Sequence, residues 1–484
     1  MLFTEAPFLF LFLPLLLGTY LLAPTRFRNG LLAIASILFY SWDEPAYTAV
    51  LLGSIALNFV AGFALDSYRG TRARRVTLTL AIIANLGLLG FFKYAGFFVD
   101  SLNAPLELLG LPPLPVPRVE LPLGISFFTF QAMSYVVDVH RGTCPAQRNI
   151  LNLSLYIALF PQLIAGPIVR YKEIAAQIRE RVLTQRMFAE GVRRFVFGLG
   201  KKMLIADTIA QCVDAIFELP GNEITITLAW AAIVGYALQI YFDFSGYSDM
   251  AVGLGKMFGF RIPENFRYPY SSRSVTEFWR RWHITLSAWF RDYVYIPLGG
   301  NRVRRSRTYL NLAAVFLLCG LWHGATWNFI IWGAFHGALL IVERLAVGSW
   351  LRRAPAPFAH IYTMIAILIG WVWFRAESLP AAMEFLGVMF GGREGAGVHL
   401  ALRNYLTNEV IVAMLLGIIL ATPAYPALRA RIAGYVRAVP GREQRWRRLE
   451  LAHHAESLVL LAVLALSIIW IAALTYSPFI YFRF

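Results

Sequence analysis

Apolar residues run along this chain in long blocks rather than in alternation. Stretches such as "PFLFLFLPLLLGTYLLA" (7–23) and "AVLLGSIALNFVAGFAL" (49–65) are long enough to cross a hydrocarbon core of about 30 Å as helices. Period-two alternation, the mark of a membrane barrel, is missing from them. The polar connectors divide by charge. "DSYRGTRARR" (66–75), "RYKEIAAQIRERVLTQRMFAEGVRR" (170–194), "NRVRRSRTY" (301–309) and "RARIAGYVRAVPGREQRWRR" (429–448) are basic and are placed on the cytoplasmic side. "LPPLPVPRVE" (111–120) and "ELPGNE" (218–223) are placed outside. Twelve crossings satisfy these assignments, near 7–23, 30–42, 45–65, 76–92, 121–139, 203–217, 224–242, 308–323, 328–343, 358–374, 408–427 and 456–476. Both termini then face outward.

Two apolar stretches do not fit as full crossings. "LSLYIALFPQLIAGPIV" (153–169) lies between basic segments and is broken by Pro161, Gly166 and Pro167, and "ITLSAWFRDYVYIPLGG" (284–300) is short and carries Arg291 and Asp292. Both are expected to be re-entrant or interfacial segments lining a cavity open to the cytoplasm, since irregular backbone survives at membrane depth only when buried in protein or lining water. The expected fold is an all-α polytopic membrane protein in one domain, 1–484, without an internal repeat.

Composition agrees. Of 484 residues 58% are hydrophobic and only 15% charged, and mean hydropathy is +0.58; soluble domains carry about 25% charge. The N-terminus has Glu5 and no early Lys or Arg, so it is read as a retained first span rather than a cleaved signal. Cys144, Cys212 and Cys319 are too scattered for a disulfide framework or a metal cluster and are expected to be small core residues. The net charge of +16 falls in the connectors. Anionic lipid headgroups explain it better than nucleic acid, which is not expected as a partner.

Ionisable side chains inside apolar segments default to functional hypotheses. In "GLWHGATWNFIIWGAFHG" (320–337), His323 lies 16 residues beyond Arg307, about 24 Å up a helix from the cytoplasmic edge. Gly320 and Gly324 permit a close approach beside it. It is either a core histidine bonded to a carbonyl or a general base, because imidazole titrates near neutrality. His336 has weaker context and is read as packing. "SVTEFWRRWHITLSAWFRDYVYIPLGGNR" (274–302) contains His283 and fits an interfacial helix; alternatively Arg280 and Arg281 attract an anionic donor. In "YALQIYFDFSGYSDMAVGLGKMFGFRIPENFRYPY" (236–270), Asp243 and Asp249 fall near the end of a span, where polar packing in a cavity wall is the plainer role. Glycines 246, 253 and 255 form no dinucleotide fingerprint, since no strand precedes them. G-x-S-x-G, Walker and H-E-x-x-H motifs are absent from the sequence.

The run from "FDFSGYSDMAVGLGKMFGF" through "GLWHGATWNFIIWGAFHG", with "LPLGISFFTFQAMSYVVDVHRG" (121–142), "FPQLIAGPIVRY" (160–171) and "SPFIYFRF" (477–484), resembles the membrane-bound O-acyltransferase (MBOAT) family. Within it the likeness is to the bacterial branch that acetylates exported polysaccharides such as alginate. The resemblance covers nearly the whole chain. It implies about 11–12 transmembrane helices plus re-entrant helices around a central tunnel, with a catalytic core over about 121–376. It also implies that His323 deprotonates an acceptor hydroxyl while His283 orients or polarises the donor. Arg280, Arg281, Trp282, Trp322 and Asp243 make the candidate substrate-binding set.

A bacterial inner-membrane location follows from the resemblance, with acetyl-CoA as donor substrate, no bound cofactor and no metal. Implied partners are a periplasmic SGNH-type acetyltransferase, the polysaccharide synthesis and export machinery, and membrane lipids. Two alternatives stand beside this reading: D-alanyl transfer to teichoic acid from a carrier protein, and a non-catalytic export channel or scaffold.

Overall fold

The structure, a computed structural model, describes residues 1–117, 119–392 and 402–473. Among these every regular element is a helix, and the chain is a multi-pass membrane protein. After helices at Phe8–Leu22 and Arg28–Ser41 come α1 (Thr48–Ser67), α2 (Arg72–Leu108), α3 (Ile125–Arg141), α4 (Ile150–Ala158), α5 (Gln185–Gly200) and α6 (Ile226–Met257). There follow two short helices, α7 (Val275–Arg281) and α8 (Ile284–Phe290), the hairpin α9 (Arg305–His323) and α10 (Trp327–Val342), then α11 (Ala356–Arg375) and α12 (Arg442–Ala473). Six of the described helices are long and apolar enough to cross a membrane; a seventh is reached if Asn408–Leu420 and Ala424–Arg437, bent by 65°, form one span. The other expected crossings fall on helices that do not meet both conditions, length and apolarity. The motif at 477–484 lies outside the described residues.

Three helices run past their expected ends. α2 continues through Lys93 to Leu108, and α6 through Asp243 and Asp249 to Met257. α5 passes without a break through a π-helical turn, Lys201–Ala206, into Asp207–Phe217. On α5 and α6 the charged residues that interrupt the apolar run in sequence are neutralised by ion pairs between the two helices, whereas Lys93 on α2 meets carbonyl oxygens. Lys202 lies 2.6 Å from Asp207 and 2.8 Å from Asp243, and Asp249 pairs with Arg194 at 2.6 Å and Lys201 at 2.7 Å. Asp243 and Asp249 are therefore mid-helix residues, not markers of a span end. The basic segments 170–194 and 429–448, expected as loops, are largely helical as well. Amphipathic helices at an interface can carry the same charge density as a loop.

α5 and α6 cross on glycines. A β-carbon at Gly198 would lie 2.6 Å from Gly246 O, and one at Gly253 would lie 2.7 Å from Gly191 O. The backbones touch directly, as small residues allow between membrane helices. Gly253→Val is expected to destabilise the protein by about 1–3 kcal/mol, because the obstacle is backbone and cannot rotate away. A lowered melting temperature in detergent checks this, and an unchanged one contradicts the crossing.

The first irregular segment is buried in protein, as the sequence implies, whereas the second is largely buried over α8 and half-buried to exposed from Arg291 onward. α4 stops at Leu159, and a single turn at Phe160–Leu163 leads into irregular backbone up to Arg170. Its polar groups find protein partners: Phe160 N donates to Ser36 Oγ at 3.1 Å, Ile168 N to Thr285 Oγ1 at 3.0 Å, and Val169 O accepts from Tyr156 OH at 3.0 Å. The second segment is α8 followed by a π-helical turn, Arg291–Tyr295. Asp292 on that turn binds Arg170 and, at 3.3 Å, Lys172, tying the two segments together. Gly124 shapes the approach to α3. It has φ +72°, and a β-carbon there would lie 2.6 Å from Leu163 O. The three cysteines are buried thiols.

Candidate active site

α9 begins at the basic connector and ends at His323, inside the protein. The glycines beside the histidine serve backbone contact. A β-carbon at Gly320 would lie 2.2 Å from Phe329 O, and one at Gly324 would lie 2.1 Å from the Phe329 ring. The α9–α10 hairpin is thereby closed tightly at the turn that carries the imidazole. The His323 ring is 4% exposed and stands edge-on to Trp322, Trp332 and Phe374, at centroid distances of 4.9, 5.0 and 5.2 Å.

His283 is fully buried and sits between α7 and α8 with φ +44° and ψ +52°. That left-handed conformation is costly for a residue with a β-carbon, so something must hold it. Asn265 does. Its carbonyl O accepts from Ile284 N at 2.9 Å, and its Oδ1 meets His283 Nδ1 at 3.2 Å, Thr285 N at 3.2 Å and Thr285 Oγ1 at 2.9 Å. The amide Nδ2 donates to Ser248 Oγ on α6 at 3.2 Å. An amide oxygen only accepts, so His283 Nδ1 carries the hydrogen, and in the neutral ring Nε2 is the acceptor. Thr285 Oγ1 also accepts from Ile168 N, so the re-entrant segment is part of the same network.

The two histidines come together, although 40 residues separate them in sequence. The Trp322 indole stands between them, 6.1 Å from the His283 ring and 4.9 Å from the His323 ring. Phe244 closes the other side of His283 at 4.7 Å. Two imidazoles in a buried aromatic setting can accept and return a proton.

The other predicted residues are scattered around this pair. Trp282 is buried in an aromatic cluster with Phe266 at 5.0 Å and Trp371 at 4.9 Å. Arg280 reaches the surface. Arg281 pairs with Glu277 at 2.5 Å and donates to Ser271 Oγ at 3.0 Å. Asp243 belongs to the buried Lys202–Asp207 cluster, while its neighbour Phe244 is the residue at His283. His336 takes a hydrogen bond from Trp279 Nε1 at 3.4 Å and packs on Trp332, the role expected for it.

Several residues of the site were not singled out from sequence: Asn265, Thr285, Glu343 and Lys93. Glu343, buried just past α10, accepts from Val275 N at 2.6 Å, Thr276 N at 2.9 Å and Thr276 Oγ1 at 2.5 Å, and so fixes the start of α7. Lys93 was the one readable signal, a lysine inside the apolar run "LLGFFKYAGFF".

Comparison with known proteins decides the family. The profile of the membrane-bound O-acyltransferase family matches residues 145–376, the span that holds both histidines. The chain is similar over its whole length to a probable alginate O-acetylase, AlgI, of Azotobacter vinelandii, with 41% identity over 503 residues covering all of both proteins. The chain belongs to the membrane-bound O-acyltransferase family. As an MBOAT protein it is an O-acyltransferase, not a passive channel. Further relatives are a peptidoglycan O-acetyltransferase of Helicobacter pylori, 37% identical over 81% of this chain and 80% of the relative, and a teichoic acid D-alanyltransferase of Bacillus subtilis, 31% identical over 51% of this chain and 65% of the relative. For an MBOAT enzyme, a centre with two buried imidazoles and little charge suits acyl transfer to a hydroxyl.

Proposed function

We propose that this acyltransferase takes an acetyl group from acetyl-CoA on the cytoplasmic side of the inner membrane and passes it outward for O-acetylation of an exported polysaccharide such as alginate. The observation that carries the reading is the buried His283–Trp322–His323 arrangement in a chain similar end to end to probable alginate O-acetylases. His323 takes the proton of the acceptor hydroxyl as its oxygen attacks the thioester carbonyl. The C–S bond breaks, and the proton returns to the leaving thiolate. His283, with its tautomer set by Asn265, orients the donor carbonyl. Arg280, exposed at the end of α7, together with Arg281 draws the anionic donor to that face. Since His323 and His283 are 4% and 0% exposed, donor and acceptor meet them through a tunnel. A periplasmic SGNH-type acetyltransferase receives the acetyl group and places it on the polymer. The basic segments contact anionic lipid, and both termini face the periplasm.

The test supplies radiolabelled acetyl-CoA to the cytoplasmic face of everted vesicles and follows label in material outside that face. Transfer that depends on the chain supports the reading. Label moving only from a D-alanyl carrier protein would replace it with the teichoic acid reading, which fits the partial likeness to D-alanyltransferases.

A further inference from the structure

α9 ends at His323 in the protein interior, so its last carbonyls have no partner within the helix. In a membrane such groups must be satisfied by the protein itself. The partners come from two consecutive residues of α2. Lys93 Nζ donates to Trp322 O at 2.6 Å, to His323 O at 3.1 Å and to Ser126 Oγ at 3.4 Å. Tyr94 OH donates to Leu321 O at 2.9 Å. The three hydrogens of the ammonium are thereby matched by three acceptors. Among the described residues no carboxylate lies within ion-pair distance of Lys93.

The heights agree independently. Lys93 lies 18 residues beyond Arg75 on α2, and His323 lies 16 beyond Arg307 on α9. At the helical rise these are about 27 Å and about 24 Å from the two basic ends. A lysine placed there for solubility would point to water. This one points at the carbonyl end of the helix that carries the imidazole, where a cation opposes the negative end of the helix dipole. Its nitrogen also lies 5.9 Å from the Trp322 ring centroid, the ring between the two histidines.

We propose that Lys93 is a positioning residue of the transfer reaction: its ammonium clamps the Trp322 and His323 carbonyls and so sets where the His323 imidazole points. The proposal rests on the reading that His323 carries the chemistry. A misplacement of about 1 Å can cost about 10²-fold in rate, and a free C-terminal turn allows at least that.

The experiment measures initial transfer rates against acetyl-CoA concentration in vesicles carrying the full chain, normalised to folded protein by size exclusion in detergent. Lys93→Met is expected to lower kcat by about 10²-fold with KM for acetyl-CoA within about twofold of wild type. Lys93→Arg, which keeps a cation and several donors, is expected to recover most of the loss. Wild-type kcat in Lys93→Met overturns the proposal, as does a loss carried by KM alone. If Lys93→Met does not accumulate, Lys93→Arg and Lys93→Gln replace it, with kcat expected to be higher in the cationic variant; equal kcat in the two overturns the proposal. His323→Ala is run alongside. Activity in that variant refutes the role of His323 itself, whereas an inactive His323→Ala beside a fully active Lys93→Met refutes only the clamp.

Discussion

His323→Ala is expected to lower acyl transfer by about 10³-fold, inside the range of about 10²–10⁴ that a positioned acid–base group contributes. The size follows from the surroundings. Two other ionisable side chains lie near the Trp322 ring: Lys93, whose Nζ is committed to the Trp322 and His323 carbonyls, and His283, whose Nδ1 hydrogen is committed to Asn265 Oδ1. The His283 ring cannot turn to take over as base without giving up that bond. Truncation leaves a cavity among Trp322, Trp332 and Phe374, and the corresponding loss for buried aromatic residues is about 3 kcal/mol. His323→Gln, which fills more of that space, is therefore the companion variant. Both should insert, and both should fail to transfer. Transfer within tenfold of wild type in folded His323→Gln would remove the imidazole from the mechanism.

How much of this was legible in the sequence depends on whether a residue acts alone or through a distant partner. The apolar blocks located the helices, and Pro161, Gly166 and Pro167 located the broken segment, because those signals are local. Helix ends failed where charge was cancelled from elsewhere. Asp243 looks like the end of a span until Lys202 is brought to 2.8 Å by the neighbouring helix. Lys93 likewise looks like the polar edge of a run at 76–92 until its partners prove to be carbonyls some 230 residues later. His323 stood out as an isolated polar residue in apolar context, and His283, inside an arginine- and tryptophan-rich stretch, was marked by the family resemblance, but nothing in their spacing says that one indole touches both. Arg280 and Arg281 read alike in sequence, and only the fold separates an exposed arginine from one paired with Glu277. Asn265 carries no periodic signal at all. It sits in the irregular stretch 259–274, where neither the 3.6-residue nor the two-residue period applies.

Asn265→Ala should lower kcat by about 10²-fold, although residue 265 contributes no group suited to proton transfer. One carbonyl oxygen serves His283 Nδ1, Thr285 N and Thr285 Oγ1. Removing it leaves buried donors unpaired, at a cost of about 1–3 kcal/mol each where they find no other partner. The backbone bond from Ile284 N to residue 265 survives the substitution, so α8 stays attached and the protein should still fold with a lowered melting temperature. What is lost is the hydrogen bond that selects the His283 tautomer and steadies its ring at φ +44°. A double-mutant cycle separates these effects. If Asn265 acts through His283, then adding Asn265→Ala to His283→Ala should cost little further activity, since residues that work as a unit are not additive. Equal, independent losses in the two backgrounds would show that Asn265 supports the fold but not the orientation of His283. A wild-type rate per folded molecule in Asn265→Ala alone would show that transfer does not depend on that orientation.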